Sequence, residues 1–375
     1  MQTWQYILVA AIAFAVTLVT TPLVRRLSLK RGYVALPDAR KLHKGAIPDM
    51  GGSAILTGIV VATVAQFASE NFAGLPGFHS DTTVTPLMIA GIVFGTLIVY
   101  LTGLIDDIYE ISVLAKLSGQ ILAGLIVALC GVQMTYLSNP FHPSTIEFGI
   151  ASIPLTIFYF VAFANIINLI DGMDGLAAGI CAIASISLAV IAMRQGEIAA
   201  ALLAVVVVGA CLGFLRYNFP PASIFMGDQG ALALGFILGA ISLLGVMKTT
   251  VTLSFAVPLL ILAIPIFDTF SAIVRRVRGR RPIGEADSSH MHHQLIGRGY
   301  SQRQTLFLVY AWSIFLAIGG FLIQNTSPFV RLTVLIFLFI MTGFFTFYLG
   351  LFKVAQRGED HSEVAGDDYQ SSVDG

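Results

Sequence analysis

Two amides and two carboxylates interrupt an otherwise apolar chain in the stretch Asn165-Ile166-Ile167-Asn168-Leu169-Ile170-Asp171-Gly172-Met173-Asp174-Gly175. Asp171 and Asp174 are three residues apart, so in a helical turn they share one face. Gly172 and Gly175 leave room for a ligand to approach the backbone. Alone, the stretch is equally typical of a solvated turn between two membrane helices, so its meaning depends on the rest of the chain.

The composition around this stretch is that of an integral membrane protein. Of the 375 residues, 56% are hydrophobic and 11% are charged, whereas a soluble domain carries roughly 25% charged residues. About eleven apolar runs are long enough to cross a bilayer, which predicts an all-α, polytopic protein of about 11 transmembrane helices. Their approximate limits are 5–24, 51–68, 85–105, 114–132, 150–168, 176–193, 198–215, 230–246, 251–274, 305–325 and 330–351. We expect one catalytic domain over 1–355 and an acidic, disordered tail over 356–375.

Lysine and arginine are distributed unevenly between the loops. Alternate loops from the first one onward, together with the C-terminus, hold 18 of the 21 such residues; the other side holds Arg194, Lys248 and Arg331. Because basic residues favour cytoplasmic loops, we expect an N-terminus outside and a C-terminus in the cytoplasm. The active-site loops on the cytoplasmic side are then 25–50, 105–116, 168–175, 216–229 and 275–304.

The prominent carboxylates fall on this same basic side. They are Asp106, Asp107, Asp171, Asp174 and Asp228. Magnesium usually binds one or two carboxylates together with substrate phosphates, and basic side chains neutralise the remaining phosphate oxygens. The distribution therefore indicates a site for a polyphosphate and a divalent metal ion.

Several of these motifs leave a simpler interpretation open. Adjacent Asp106 and Asp107 favour a cation or a raised pKa, but an acidic helix end has the same sequence. Lys116 is equally typical of an interfacial anchor, and Asp228 of a helix N-cap. The histidines of the longest inner loop, His290 and its neighbours, lack a zinc pattern and suit donation to a pyrophosphate.

Taken together and in order, these motifs resemble the polyprenyl-phosphate N-acetylhexosamine-1-phosphate transferases, which are glycosyltransferase-4-like membrane enzymes. The resemblance runs from about Arg25 to Leu295. It is carried by Leu36-Pro37-Asp38-Ala39-Arg40-Lys41-Leu42-His43 with Gly51-Gly52, Asp106-Asp107, Lys116-Leu117-x-x-Gln120, Asn165-x-x-Asn168-Leu169-x-Asp171-Gly172-x-Asp174-Gly175, Phe225-Met226-Gly227-Asp228 and His290-x-His292-His293. Met291 separates the first two histidines, which favours the WecA/TagO-type branch over the MraY-type branch.

The resemblance implies a reaction at the bacterial inner membrane, with the active site facing the cytoplasm. A UDP-sugar, typically UDP-N-acetylglucosamine, donates its sugar 1-phosphate to undecaprenyl phosphate, and UMP is released. The product starts a cell-envelope glycan such as an O-antigen or a teichoic acid. Mg²⁺ is the implied cofactor, with Mn²⁺ as an alternative. The partners are the two substrates and the lipid bilayer; no nucleic acid is expected, and a homodimer is left open.

The resemblance also implies roles for individual residues. The catalytic residues are Asp106, Asp107, His290, His292 and His293, and the metal ligands are Asp228, Asp107 and Asp171. The substrate-binding residues are Lys116, Asn168, Asp171, Asp174, Asn218, Phe225, Arg280, Arg281 and His43. Ser288 and Ser289 stand where many relatives have a basic residue, and Arg280 or Arg281 is the candidate replacement.

Two other functions remain open from the sequence. An MraY-type phospho-MurNAc-pentapeptide transferase would use a peptide-bearing sugar. A cation-coupled transporter would need acids at several membrane depths, whereas only Asp268 lies deeper than the cluster at one face. The transferase is therefore the favoured function.

Overall fold

The computed structural model describes residues 2–35, 46–138, 145–245, 263–278, 291–322 and 326–348. Twelve α-helices lie in these ranges: α1 Thr3–Arg31, α2 Gly51–Ala73, α3 Pro86–Tyr109, α4 Val113–Leu129, α5 Ser152–Ile170, α6 Leu176–Gln195, α7 Ile198–Asn218, α8 Gly227–Leu244, α9 Ala263–Arg278, α10 Met291–Gly297, α11 Gln302–Leu322 and α12 Pro328–Tyr348. Two short antiparallel ribbons pair β1 Val34–Ala35 with β2 Ile47–Pro48, and β3 Tyr136–Ser138 with β4 Thr145–Glu147.

The described helices confirm the predicted all-α, polytopic membrane protein. Within these ranges, nine helices are long and apolar enough to cross a bilayer, and α4 is a shorter apolar helix of 17 residues. Helix α9 covers the second part of the predicted span 251–274, and the first part lies outside the described residues. The count of eleven spans and the orientation of the two ends stay predictions. The predicted tail 356–375 also lies outside the described residues.

Helix α8 is the centre of the bundle. Every residue of α8 except Asp228 is buried, as expected for a helix that is apolar on all sides. It packs against α3 and α5 most extensively, and also against α2, α6 and α7. Small residues permit this close approach: a Cβ on Gly103 of α3 would lie 2.5 Å from the backbone of Gln229. The end of α8 that carries Asp228 is thus held tightly against its neighbours.

A short extended segment holds the loop that precedes α8. After β2, the carbonyl of Pro48 accepts the N–H of Phe225 at 2.8 Å. The N–H groups of Gly51 and Gly52 then donate to the carbonyls of Phe225 and Met226, at 2.9 and 2.7 Å. Residues 48–52 therefore run beside residues 225–226 and fix where α8 begins.

Candidate active site

The acidic end of α3 caps the start of α8. Oδ1 of Asp107 accepts the backbone N–H of Asp228 at 2.8 Å, and Oδ2 accepts that of Gln229 at 3.1 Å. The first N–H groups of a helix have no partner within the helix, and that end favours a negative charge. Asp228 itself lies inside the first turn of α8, so the alternative interpretation that it is the N-cap is wrong; the capping carboxylate comes from another helix.

Gly227 is needed where these two helices meet. Its φ of +73° lies in the left-handed region, which glycine adopts at little cost. A Cβ at this position would also lie 2.7 Å from Oδ2 of Asp107. Any larger residue would therefore push the carboxylate away from the start of α8.

Lys116 joins two of the carboxylates. Its Nζ donates to Oδ2 of Asp106 at 2.9 Å and also forms an ion pair with Asp228. The other oxygen of Asp228 accepts Nδ2 of Asn168 at 2.8 Å. Side chains from α3, α4, α5 and α8 thus converge on one place, where 31% of the Asp228 side chain and 19% of the Lys116 side chain remain exposed.

The turn between α3 and α4 explains why Asp106 and Lys116 meet. Glu110, the residue after the end of α3, has a φ of +50°, and Oδ1 of Asp106 accepts the N–H of Ile111 at 3.0 Å. Ser112 then caps α4 by accepting the N–H of Ala115 at 3.3 Å. Because the chain reverses within three residues, the first turn of α4 lies beside the last turn of α3.

Asp171 is a half-buried carboxylate in the turn that follows α5. No hydrogen bond reaches its carboxylate from any described residue. Burial raises the pKa of Asp171 well above its ordinary value, and the charges of Asp49, Asp228, Asp107 and Asp174 raise it further. A bound cation would offset this accumulation of negative charge.

Asp49 is a neighbour of this cluster that the sequence analysis missed. A Cβ on Gly227 would lie 3.2 Å from Oδ1 of Asp49 and 2.7 Å from Oδ2 of Asp107. Two carboxylates from distant parts of the chain therefore lie side by side. Asp49 lies two residues before Gly51-Gly52, and this was its one signal in the sequence. The pairing of residues 48–52 with 225–226, which brings Asp49 to the cluster, follows no local pattern.

Asn218 and Asp174 tie two loops of the site together. Asn218 is 2% exposed; its Oδ1 accepts the N–H of Gly175 at 3.0 Å, and its Nδ2 donates to the carbonyl of Ile224 at 2.9 Å. Oδ2 of Asp174 accepts the N–H of Ala222 at 2.9 Å. Residues 171–175 form a turn rather than a helix, so Asp171 and Asp174 do not share a helical face.

The remaining predicted site residues lie either near the cluster, in α10, or outside the described residues. Phe225 is partly buried in the loop before α8. His292 and His293 belong to α10, which packs against α11 and carries the buried Leu295. Four predicted residues lie outside the described residues: His43, Arg280, Arg281 and His290.

The donor set of the cluster suits a hard divalent cation. No group of three or more acidic, histidine or cysteine side chains among the described residues stands ready to hold a metal ion. Magnesium, however, commonly takes one or two carboxylates and completes its shell with phosphate oxygens and water. Asp171, whose carboxylate receives no hydrogen bond from the described residues, has its pKa raised by the charges of Asp107 and Asp228. These carboxylates fit an ion that arrives with a phosphorylated ligand.

Known proteins match the chain over this cluster. The model of a family described as Glycosyl transferase family 4 matches residues 89–246, which include all the predicted site residues from Asp106 to Asp228. The chain is 36% identical over 333 residues to the probable undecaprenyl-phosphate N-acetylglucosaminyl 1-phosphate transferase of Bacillus subtilis, covering 88% of this chain and 89% of that protein.

Two further relatives cover similar lengths. The decaprenyl-phosphate N-acetylglucosaminephosphotransferase of Mycolicibacterium smegmatis is 36% identical over 335 residues, or 84% of this chain and 80% of the relative. The phospho-N-acetylmuramoyl-pentapeptide-transferase of Anoxybacillus flavithermus is 32% identical over 336 residues, or 84% and 96%. Similarity is thus somewhat greater to the N-acetylglucosamine phosphate transferases.

Proposed function

The chain belongs to glycosyl transferase family 4, and on that basis we propose that it transfers N-acetylglucosamine 1-phosphate to a polyprenyl phosphate. The donor is UDP-N-acetylglucosamine, the acceptor is undecaprenyl phosphate or a close analogue, and the second product is UMP. Relatives with this activity in their names are 36% identical over most of both chains. The pentapeptide transferase is the second candidate, at 32% identity.

The observation that carries the proposal is the junction of Asp106, Lys116 and Asp228. The reaction must bring two anionic substrates together, and this junction combines a cation with carboxylates at one exposed end of the bundle. The acceptor phosphate is already largely ionised at neutral pH, because the second pKa of a phosphate monoester is about 6. The site therefore needs to position and neutralise charge more than it needs a strong base.

We propose direct in-line attack without a phosphorylated enzyme. An oxygen of the acceptor phosphate forms a bond to the β-phosphorus of the UDP-sugar. The bond from that phosphorus to the oxygen shared with the α-phosphate breaks, and UMP leaves with this oxygen. Asp106 or Asp107 orients the acceptor phosphate. Mg²⁺, when bound, neutralises charge on the bridging and leaving oxygens.

Most residues of the site then have an assigned role. Asp107, Asp171 and Asp228 would hold the divalent ion, and Lys116 would contact a substrate phosphate. Asp174 and Asn218 act through the loops that they hold, and Phe225 lies under the uracil. The roles of the residues outside the described ranges come from the sequence alone: His43, Arg280, Arg281 and His290. His292 and His293 complete the histidine motif near the pyrophosphate.

We also propose that the site faces the cytoplasm of a bacterial cell, where nucleotide sugars are available. The excess of lysine and arginine on this side supports that orientation. The reaction would then begin a cell-envelope glycan on the inner leaflet.

The activity can be tested directly with purified protein in detergent. UMP release is measured with undecaprenyl phosphate, Mg²⁺ and UDP-N-acetylglucosamine, UDP-N-acetylgalactosamine or UDP-MurNAc-pentapeptide. We expect release from UDP-N-acetylglucosamine that needs the lipid and stops with EDTA. Release from the pentapeptide substrate alone would support the second candidate, and no release from any sugar would overturn the proposal.

A further inference from the structure

Gly175 lies at a junction of three helices. Its φ is +76°, and its N–H donates to Oδ1 of Asn218 at the end of α7, at 3.0 Å. Its carbonyl accepts the N–H of Gly179 in α6 at 3.0 Å and the hydroxyl of Tyr310 in α11 at 2.5 Å. The residue that closes the turn 171–175 is therefore held by α6, α7 and α11 together.

A gap in α6 lets Tyr310 reach this carbonyl. A Cβ on Gly179 would overlap the ring and the hydroxyl of Tyr310. Gly179 thus supplies the slot, one turn into α6, through which a side chain of α11 passes to Gly175. Any side chain at position 179 would displace the tyrosine from its hydrogen bond.

Helix α11 holds the neighbouring loop as well. Nε of Arg303 donates to the carbonyl of Pro220 at 3.0 Å, and its guanidinium lies 5.8 Å from the ring centre of Phe219. Arg303 and Tyr310 are seven residues apart, or about two helical turns, so they lie on one face of α11. This face contacts the turn that carries Asp171 and Asp174, and the loop that leads to Phe225.

We propose that Tyr310 is a positioning residue for the nucleotide sugar, acting through the carbonyl of Gly175. The hydroxyl fixes the turn 171–175, so that Asp171 and Asp174 are set before the UDP-sugar binds. This inference rests on the proposed function, in which Asp171 of that turn helps to hold the ion that faces the phosphates of the nucleotide sugar. The polyprenyl phosphate is oriented by Asp106 or Asp107 of α3, which lie outside this turn, so we expect its binding to change less.

The test is the Tyr310→Phe variant, which keeps the ring and removes the hydroxyl. We expect the KM for UDP-N-acetylglucosamine to rise about 3- to 10-fold, the effect of losing one hydrogen bond. The KM for undecaprenyl phosphate should stay within about 2-fold of wild type, because only one substrate loses binding. The matched control is Tyr348→Phe, at an exposed tyrosine near the end of α12, which should change neither constant.

Gly179→Ala tests the same contact from the other helix. It should raise the same KM, and the double variant should raise it no further than the larger single change, because both changes remove one interaction. Gly245→Ala is its control, since a Cβ there meets only ordinary contacts of 3.4 Å or more. If Gly179→Ala does not fold, Tyr310→Phe decides alone.

Two results would overturn the inference. One is an unchanged KM for UDP-N-acetylglucosamine in Tyr310→Phe; the other is an equal rise for both substrates, which would indicate general damage to the fold. Turnover by the wild-type protein is measured first. If it is absent, the proposed function fails; if it is present, only the role of Tyr310 is in question.

Discussion

The carboxylate of Asp107 accepts the backbone N–H of Asp228 at 2.8 Å, so the last turn of α3 caps the first turn of α8. This contact brings together two aspartates that are 121 residues apart in the sequence. The partial positive charge at the start of α8 stabilises the arrangement. The same geometry that completes the helix end therefore concentrates negative charge where a divalent ion can bind.

Asp107→Asn should remove most turnover without unfolding the protein. The amide oxygen can still accept one N–H from α8, but the side chain loses the negative charge that would help to hold a cation beside the acceptor phosphate. We expect kcat to fall by about 100-fold or more, the usual effect of losing an electrostatic catalytic group. Thermal unfolding should change little. Full turnover in this variant would remove Asp107 from the active chemistry; Glu147→Gln, at an exposed hairpin residue, is the control.

Lys116→Gln should strengthen the binding of a divalent ion and lower the turnover. In the structure Lys116 neutralises Asp106 and Asp228, so it competes with any cation for these oxygens. Without substrate, we expect the variant to bind Mn²⁺ several-fold more tightly than wild type, as calorimetry would measure, because a competing charge is gone. Turnover should nevertheless fall, since a phosphate contact is lost.

The control for Lys116→Gln is Lys30→Gln, at an exposed lysine near the end of α1. It should leave both the affinity for Mn²⁺ and the turnover unchanged. Weaker Mn²⁺ binding by Lys116→Gln would contradict the prediction that Lys116 competes with a cation for the carboxylates of Asp106 and Asp228.

Asp49→Asn should raise the concentration of Mg²⁺ that turnover requires. Its carboxylate lies beside Asp107 and adds to the negative charge around Asp171. Removing one charge lowers the attraction for a cation, so we expect the Mg²⁺ concentration for half-maximal turnover to rise by about 3- to 10-fold. Asp49→Glu, which restores the charge, should recover most of this loss. An unchanged Mg²⁺ requirement in Asp49→Asn would exclude Asp49 from the site.

Local sequence patterns predicted the helices that carry the site, but they did not predict the contacts between those helices or all of the helix ends. The apolar runs predicted a first span over 5–24, but α1 continues to Arg31. The bilayer requires only about 20 apolar residues, whereas the helix ends where Gly32 adopts a left-handed φ of +74° and Tyr33 donates to Ser28. The length of an apolar run and the end of a helix are thus set by different physical causes.

Contacts between distant segments could not be predicted in the same way. The acids of the cluster stand out in the sequence because each is polar in an apolar chain. Asp49 does not stand out, since it lies in a polar stretch, and its place depends on the backbone pairing of 48–52 with 225–226. The contact of Tyr310 with Gly175 likewise depends on the space left by Gly179, which only the packed bundle reveals.

In the proposed mechanism, Asp228 and its neighbours hold a divalent ion against the phosphates of the nucleotide sugar. The most direct measurement is the ³¹P hyperfine coupling of Mn²⁺ bound to the purified protein with UDP-N-acetylglucosamine, in wild type and in Asp228→Asn. We predict a coupling in the wild-type protein that is lost in Asp228→Asn, while the variant still folds and inserts. An identical coupling in both proteins would contradict the claim.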